Sequence, residues 1–305
     1  MEFKERPLIE AITKGDDQQL ATLLQSDAGG DALVARISVP QPTNHAIGFG
    51  MTLLQLASVR KWKEGNPSKV LIEHGAAIDL HSACGLGLVD RIGGILADHP
   101  HYLDEKVDTY VPLQFAITAG QSDVIRCLAE HGEDVNRQLR KVAYFGWEDE
   151  ALDQDYLPWK PIHMASLWGF DSKRVPVAKA LASAGADLNA VSPLDGFRPI
   201  HLVAMPNRVA MIRFFVSEGV EVDSRTEQCE VIDLADEKGP LAGYDCTALM
   251  VAAAEGFPEA VACLLELGAD PKAVNDRGQT AIDFARKRFW NGQPYDEVID
   301  LLAKA

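Results

Sequence analysis

Two histidines occupy equivalent places in two similar six-residue phrases, and imidazole is the side chain best suited to proton transfer and metal binding near neutral pH. His163 lies in the phrase Lys-Pro-Ile-His-Met-Ala, and His201 lies in Arg-Pro-Ile-His-Leu-Val. Further copies of the phrase carry other side chains at this place: Gln55, His81, Gln114, Met250 and Asp283. Because methionine and glutamine cannot do the acid–base work of imidazole, the position does not indicate a catalytic histidine.

Other side chains with metal-binding chemistry are close together in the sequence. They fall into two groups: His74, His81 and Cys84, and then His99 and His101. The paired Cys-x-x-Cys spacing of a closed zinc site is absent from the sequence. Asp153-Gln-Asp155 begins like a calcium-binding loop, but Pro158 stands where such a loop requires glycine. The sequence therefore predicts no metal site.

Sequence signatures of phosphate binding and of nucleophilic catalysis are also absent. The chain has no Gly-x-x-x-x-Gly-Lys loop, no His-Glu-x-x-His and no Gly-x-Ser-x-Gly. Cys127 and Cys263 stand at the same distance from the start of two phrases, which indicates buried core thiols rather than nucleophiles. Cys229 and Cys246 flank a long interruption, and a disulfide between them is one alternative. We predict no catalytic residue, no cofactor and no enzymatic activity.

These residues belong to a repeated pattern that must position them. The first phrase recurs along the chain, opening at Thr52, Ile78, Val111, Lys160, Arg198, Thr247 and Thr280. A second phrase follows most copies, opening at Gly75, Gly132, Gly185, Gly219 and Gly268. The Leu, Ile and Ala positions of the first phrase predict the buried stripe of a first helix, and an apolar-periodic second helix follows. One such helix pair cannot bury its apolar face alone, so the pattern predicts stacked pairs.

The spacing between copies identifies the kind of repeat. Measured at the second residue of each phrase, the successive gaps are 26, 33, 49, 38, 49 and 33 residues. About 33 residues is the ankyrin period. With its Thr-Pro-Leu-His-like and Gly-Ala-Asp-like phrases in register, the chain resembles the ankyrin-repeat family along nearly its whole length. The resemblance implies an all-α ankyrin-repeat solenoid of stacked helix-turn-helix units with extended finger insertions.

A solenoid grows by adding repeats and needs no second core, so we predict a single solenoid over residues 1–305. It would hold about seven repeats and an N-terminal capping unit around residues 7–11. The copy at Ile78 departs most from the pattern, because it follows Gly75 almost directly. The two gaps of 49 residues predict a first insertion near residues 137–159 and a second insertion near residues 224–243. A third insertion, near residues 28–50, separates the capping unit from the first full repeat.

Several positions in the phrases have a predictable structural role. The hydroxyls of Thr247 and Thr280 are expected to cap helix N-termini, and Gly256 is expected to end a first helix in a left-handed turn. In the ankyrin family the histidine of the first phrase hydrogen-bonds neighbouring backbone. The resemblance therefore implies a structural role for His163 and His201.

The first insertion is rich in aromatic residues, although the whole chain is only 7% aromatic. Its aromatic side chains are Tyr144, Phe145, Trp147, Tyr156 and Trp159. Exposed aromatics rimmed by charge are typical of a partner-binding hot spot. The alternative is that they pin an extended finger onto the body of the protein, and Trp159, beside Pro161, is assigned to packing.

One further contact residue is predicted on a helix. Trp168 stands directly before Gly169, at a position that tends to face the concave surface in the ankyrin family. The alternative is a packing contact with a neighbouring repeat. The predicted partner-binding residues are therefore Tyr144, Phe145, Trp147, Tyr156 and Trp168.

The insertions suggest where a partner would bind. All three precede a first helix, on the finger side, where extended fingers would deepen a groove. The second insertion carries acidic residues that could receive a basic partner or form a solvated loop: Glu227, Glu230, Asp233, Asp236 and Glu237. We predict a non-catalytic module that binds a protein on its concave face and finger edge. The alternative is a small-ligand binder or atypical enzyme with a site in the groove between the long fingers.

Composition and charge narrow the class of partner. The net charge of −16 disfavours nucleic acid, which is bound through clustered Lys and Arg, and favours a basic protein; solubility alone is the alternative reading. No apolar run approaches the ~20 residues of a membrane helix, and five cysteines without paired spacing suit a reducing compartment. We expect a cytoplasmic protein that binds no membrane. The sequence does not determine the oligomeric state.

Overall fold

The computed structural model consists of α-helices joined by turns and short bridges. It describes the following residues: 2–25, 32–33, 36–37, 51–59, 65–107, 110–139, 159–167, 171–193, 196–227, 245–288 and 290–305. These residues fall into two compact units. Unit 1 comprises residues 1–135 and 139–156, and unit 2 comprises residues 136–138 and 157–305.

The described residues of unit 1 form four helix pairs. The helices are α1 (Glu2–Lys14), α2 (Asp17–Leu24), α3 (Leu53–Ser58), α4 (Pro67–Glu73), α5 (Leu80–Leu86), α6 (Val89–Asp98), α7 (Pro112–Ala119) and α8 (Ser122–Glu130). A 3-10 helix, Pro100–Asp104, follows α6. The first helices α1, α3, α5 and α7 pack in succession, and each also packs against its own second helix. Each pair therefore buries its apolar face against its neighbours.

The part of unit 2 that the structure describes repeats this arrangement with four more pairs. The helices are α9 (Pro161–Leu167), α10 (Asp171–Ser183), α11 (Pro199–Ala204), α12 (Val209–Ser217), α13 (Ala248–Glu255), α14 (Pro258–Glu266), α15 (Ala281–Lys287) and α16 (Tyr295–Lys304). The first helices α9, α11, α13 and α15 form one layer, and the second helices α10, α12, α14 and α16 form the other. The core between the layers is apolar and includes the fully buried Phe215 and Phe284.

The first helices of seven pairs share one way of starting. In each, the side chain at the third helical position accepts a hydrogen bond from the backbone N–H of the N-cap residue. The accepting residues are Gln55, Ser82, Gln114, His163, His201, Met250 and Asp283. One N–H at each helix start is thereby satisfied, as helix geometry requires. The demand is for an acceptor of suitable length, which explains why the residue type varies.

Glycines end helices of both layers, as the sequence predicts. Gly256 follows α13 with φ 78°, in the left-handed region, and its N–H closes the last turn on Ala252 and Ala253. Gly132, Gly185, Gly219 and Gly268 follow second helices with φ between 88° and 95°. A side chain at any of these positions would strain the backbone, so glycine is favoured there.

Of the expected helix starts, one is confirmed and two need correction. Thr247 accepts a hydrogen bond from Met250 N at 3.3 Å, as expected of a cap. The Thr280 hydroxyl instead donates to the Asp283 carboxylate at 2.7 Å, because that carboxylate already accepts the Thr280 N–H and draws the hydroxyl to itself. The helix expected to begin at Ile78 has Asp79 as its N-cap, one residue later, since the Asp79 carboxylate accepts from Ser82 N at 2.8 Å.

The predicted all-α fold class is confirmed for the described residues, which contain no β-strand. Their extended contacts are three isolated antiparallel bridges, Arg36–Thr52, Val107–Tyr110 and Arg225–Thr247. Each bridge lies just before a first helix. The described helices include none with the length and apolar character needed to span a membrane. The expectation of a single solenoid over residues 1–305 stays a prediction.

Candidate interaction surface

The phrase histidines join two repeats of unit 2 to the finger that follows, the loop before the next first helix. His163 Nδ1 accepts the Lys160 N–H at 3.1 Å, and its Nε2 donates to the Ala190 carbonyl oxygen at 2.8 Å. His201 repeats the arrangement with the Arg198 N–H at 3.1 Å and the Ser224 carbonyl at 2.9 Å. One ring nitrogen accepts and the other donates, so both imidazoles are held in one neutral tautomer. The structural role implied by the resemblance is confirmed for both.

Burial also removes these histidines from acid–base chemistry at neutral pH. Desolvation lowers the pKa of His163 to about 4, against a smaller opposing effect of the hydrogen bond to Ala190. It lowers the pKa of His201 to about 4 in the same way. A general acid or base works best with a pKa near the operating pH. Neither histidine has one, and both rings are closed off from solvent.

The described cysteines are buried and protonated. Burial raises the pKa of Cys84 well above its usual range and raises that of Cys246 to about 11. Burial also raises the pKa of Cys127 and Cys263, which confirms their assignment as core thiols. Cys246 Sγ accepts from Asn275 Nδ2, and Cys229, its suggested disulfide partner, lies outside the described residues. Thiolates are the nucleophilic form, so none of the four is poised for catalysis.

The first insertion is anchored by buried side chains on either side. Leu139 is buried in unit 1, and Trp159 is fully buried in unit 2, as its packing role requires. Residues 140–158 lie outside the described residues, and with them the predicted contacts Tyr144, Phe145, Trp147 and Tyr156. Trp168 also lies outside them, in the gap at 168–170. The role of all five therefore stays a prediction.

Two arginines hold the finger edge of unit 2 in place. Arg198 Nε donates to the Arg225 carbonyl at 3.0 Å, and its other nitrogens bond the Asn189 carbonyl and the Glu227 carboxylate. Arg225 Nη1 in turn donates to the carbonyls of Asp245 at 2.9 Å and Val274 at 2.6 Å. Each guanidinium spans consecutive fingers, which its several fixed N–H donors allow.

Finger turns of unit 2 are also linked through side chain to backbone hydrogen bonds. Asn136 Oδ1 accepts the Asp187 N–H at 2.8 Å, and its Nδ2 donates to the Gly185 carbonyl at 2.8 Å. The Asp223 carboxylate accepts the Asp270 N–H at 3.0 Å and so joins the next two turns. These bonds fix the spacing of neighbouring turns, so this edge of unit 2 is a preorganised surface.

Two hydrogen bonds join the residues on either side of the second insertion where it leaves unit 2. Thr226 N donates to the Cys246 carbonyl, and Cys246 N donates to the Thr226 hydroxyl, both at 2.9 Å. Residues 228–244 lie outside the described residues, including four of the five predicted acidic positions. The fifth, Glu227, pairs with Arg198 rather than standing ready for a basic partner.

An acidic and aromatic pair at the end of α13 was not predicted from the sequence. Glu255 precedes Gly256 as Trp168 precedes Gly169, so the two occupy the same place in the repeat. Trp290, one of the few large apolar side chains exposed among the described residues, donates its indole N–H to the Glu255 carboxylate. Burial raises the pKa of Glu255 to about 7. The shared register with Trp168 is the one sequence signal that could have found this site.

These features define a repeat protein of stacked helix pairs with a hydrogen-bonded finger edge. Residues 162–275 match the family model of ankyrin repeats in three copies. Residues 162–275 thus carry ankyrin repeats, and the predicted family resemblance and ankyrin-repeat fold are confirmed there. No curated protein matches the chain. Within the described part of the molecule, no three His, Cys, Asp or Glu side chains are grouped so as to hold a metal ion.

Proposed function

We propose that this chain is a non-catalytic interaction module that binds a protein partner in the cytoplasm. The observation that carries the proposal is the match of residues 162–275 to ankyrin repeats, which generally mediate protein–protein interactions and are typically not enzymes. Stacked repeats present long continuous surfaces to partners. The buried histidines and protonated thiols agree with a scaffold rather than a catalyst.

The proposed binding surface is the concave face together with the finger edge. Its contact residues are Tyr144, Phe145, Trp147, Tyr156 and Trp168. Support comes from the finger edge of unit 2, where Arg198, Arg225 and Asn136 hold consecutive turns in fixed positions. A surface that is ordered before binding loses less conformational entropy on association.

The proposed partner is a protein with a basic surface. A net charge of −16 attracts such a surface over long distances and repels the phosphates of nucleic acid and acidic lipid headgroups. Much of the binding energy would come from aromatic burial, because tryptophan and tyrosine dominate interface hot spots. The acidic charge would mainly raise the association rate and select the partner.

The test is affinity capture from lysate of the source organism with a matched pair of variants. The first variant changes Tyr144, Phe145, Trp147 and Trp168 to alanine. The control changes His99, His101 and Tyr102 to alanine, which removes a ring cluster on the 3-10 helix of unit 1. Circular dichroism and the thermal midpoint establish that both variants are folded.

The proposal expects a partner that the wild type and the control capture equally and that the first variant captures at least about tenfold less. Equal capture by the folded first variant would overturn the assigned surface. If the wild type captures no protein, the interaction function itself is wrong. A small-molecule screen of the finger groove would then test the alternative.

A further inference from the structure

Trp290 and Glu255 form a small composite surface at the C-terminal end of unit 2. Trp290 is 44% exposed, although its indole N–H is engaged by the Glu255 carboxylate. Its backbone N–H donates to the Tyr295 hydroxyl at 3.2 Å, and that hydroxyl donates to the Ala254 carbonyl at 2.8 Å. These two hydrogen bonds fix the segment around Trp290. One face of its ring is therefore exposed to solvent beside a half-buried carboxylate.

The floor of this surface is tightly packed. A Cβ atom on Gly256 would lie 3.0 Å from the Tyr295 ring and 2.8 Å from the Gln293 Cβ. Tyr295 itself is buried. The close approach to glycine locks the C-terminal segment onto the end of α13, so Trp290 and Glu255 hold a defined relative position.

The Glu255 carboxylate has no cationic partner among the described residues. The basic residues of the adjoining α15 segment have other contacts: Arg286 pairs with Asp283, Arg288 with Asp296, and Lys287 lies over the Phe284 ring. Burial raises the pKa of Glu255, and the hydrogen bond from Trp290 offsets part of this rise. No nearby charge contributes to the shift. A buried carboxylate without a counter-charge is unfavourable for the isolated protein.

We propose that Trp290 and Glu255 together bind an arginine side chain of the protein partner. A guanidinium can stack on the exposed indole face while one N–H donates to the Glu255 oxygen. Arginine fits better than lysine, because its planar group stacks and donates in the same plane, whereas an ammonium is a strongly hydrated point charge. This inference rests on the proposed function, protein binding, but it concerns a surface separate from residues 140–158.

The register of the repeat places this site on the same layer as the predicted contact Trp168. Glu255 is the last residue of α13, a first helix, and Trp168 directly follows the first helix α9. A partner lying along the first helices would therefore reach both positions. The arginine site would contribute one charged anchor to that interface.

The experiment follows the tryptophan indole N–H resonances of the full chain by NMR during peptide titration. The chain has five tryptophans, and a Trp290→Phe variant assigns the relevant signal. The probes are three N-acetylated, C-amidated tripeptides, Gly-X-Gly, in which X is arginine, lysine or citrulline. Citrulline has the shape of arginine without its charge. The Glu255→Gln variant keeps the carbonyl acceptor for the Trp290 indole and removes only the charge.

We expect the arginine peptide to shift the Trp290 resonance and saturate, lysine to bind more weakly, and citrulline to bind at least about fivefold more weakly. Glu255→Gln should lose the preference for arginine over citrulline while keeping its fold. No saturable response, equal responses to arginine and citrulline, or an unchanged preference in Glu255→Gln would each overturn the site. Because the probe is a peptide, the titration can fail while the capture experiment succeeds, or the reverse.

Discussion

Units 1 and 2 hold successive repeats together by the same device, made from different side chains. In unit 2, His163 and His201 each cap their own helix and donate to the next finger. In unit 1 the two tasks are divided in one repeat: Ser82 accepts the Asp79 N–H, and His81 donates to the Glu105 carbonyl at 3.0 Å. Gln55 performs both tasks in the repeat before it, donating to Asp79.

The difference shows that each repeat requires an acceptor at this place rather than a histidine, and that a donor to the next finger is added in some repeats. The match to the ankyrin family covers residues 162–275, within unit 2, where the histidine version of the device is found. Unit 1 has the same paired helices, and glutamine or a serine and histidine pair meets the same need. We expect unit 2 to be the more sensitive to acid, because two of its repeats depend on a buried histidine, whereas unit 1 combines glutamine, which does not titrate, with the single histidine His81, whose pKa burial also lowers.

The largest expected effect is a loss of unit 2 stability in acid. His163 and His201 have folded pKa values of about 4 and an unfolded value near 6.5, so the unfolded state binds more protons between these values. The free energy of unfolding is therefore highest above pH 6.5 and falls as the pH drops towards 4, by about 4–5 kcal/mol for both together at pH 4.5.

Urea unfolding from pH 7.5 to 4.5 measures this slope, and the double variant His163→Gln, His201→Gln is the control. The variant should lose most of the difference from wild type, since glutamine supplies the same acceptor and donor without a charge. An equally steep pH dependence in the variant would show that other groups cause the acid sensitivity.

A single substitution at neutral pH should have the next largest effect. His201→Leu removes both hydrogen bonds and leaves the Arg198 N–H and the Ser224 carbonyl without their partner, which costs about 3 kcal/mol. His201→Gln should cost about 1 kcal/mol or less, because Gln55 and Gln114 accept the equivalent N–H at 2.9 and 3.0 Å. Equal losses for the two variants, in urea unfolding at pH 7.5, would contradict the donor–acceptor account.

Glu255→Gln should stabilise the protein, and only at high pH. The pKa of Glu255 in the folded protein is about 7, above the usual 4.5. Its contribution to the free energy of unfolding is therefore most favourable below pH 4.5 and is lost as the pH rises through 7. Allowing for partial solvent exposure, the variant should gain at most about 2 kcal/mol at pH 8 and nothing at pH 4.5. A gain that does not depend on pH would disprove the charge explanation.

The smallest expected effect concerns unit 1. Gly94 lies inside α6, and a Cβ atom there would meet no atom within 4 Å. Gly94→Ala should therefore raise the free energy of unfolding by about 0.5–1 kcal/mol, because alanine has the higher helix propensity. Gly256→Ala is the opposite case, because its φ of 78° and its contact with Tyr295 both oppose a side chain. If Gly94→Ala destabilises the protein, α6 is not a plain solvent-facing helix at that position.

The repeat architecture could be predicted from the sequence because its signals are local. Proline at the first turn, glycine after second helices and alanine in the stripe each follow from backbone geometry, and the structure has helices where they indicate. The helix start in the copy at Ile78 was misplaced by one residue, because its N-cap is Asp79. Leu80-His81 resembles the family phrase, but Ser82 is the residue that bonds to the N-cap. The prediction that the Thr280 hydroxyl caps its helix was wrong, since the hydroxyl donates to a carboxylate three residues later instead.

The contact between Trp290 and Glu255 could not be predicted, because it depends on how the C-terminal segment returns to α13. The residues are 35 positions apart, and no repeated phrase contains Trp290. The Tyr295 hydroxyl, which bonds both the Trp290 N–H and the Ala254 carbonyl, and the close packing on Gly256 help to bring them together. The sequence does predict the aromatic contacts of the first insertion, and they stay predictions.

The most direct test of the central claim is amide hydrogen exchange of the whole chain with and without its captured partner. The account predicts new protection in the first helices α9, α11 and α13, in the fingers that precede them, and in residues 140–158. It predicts little change in the second helices α10, α12, α14 and α16. Protection confined to the second helices would contradict the proposed binding face, even if the partner binds tightly.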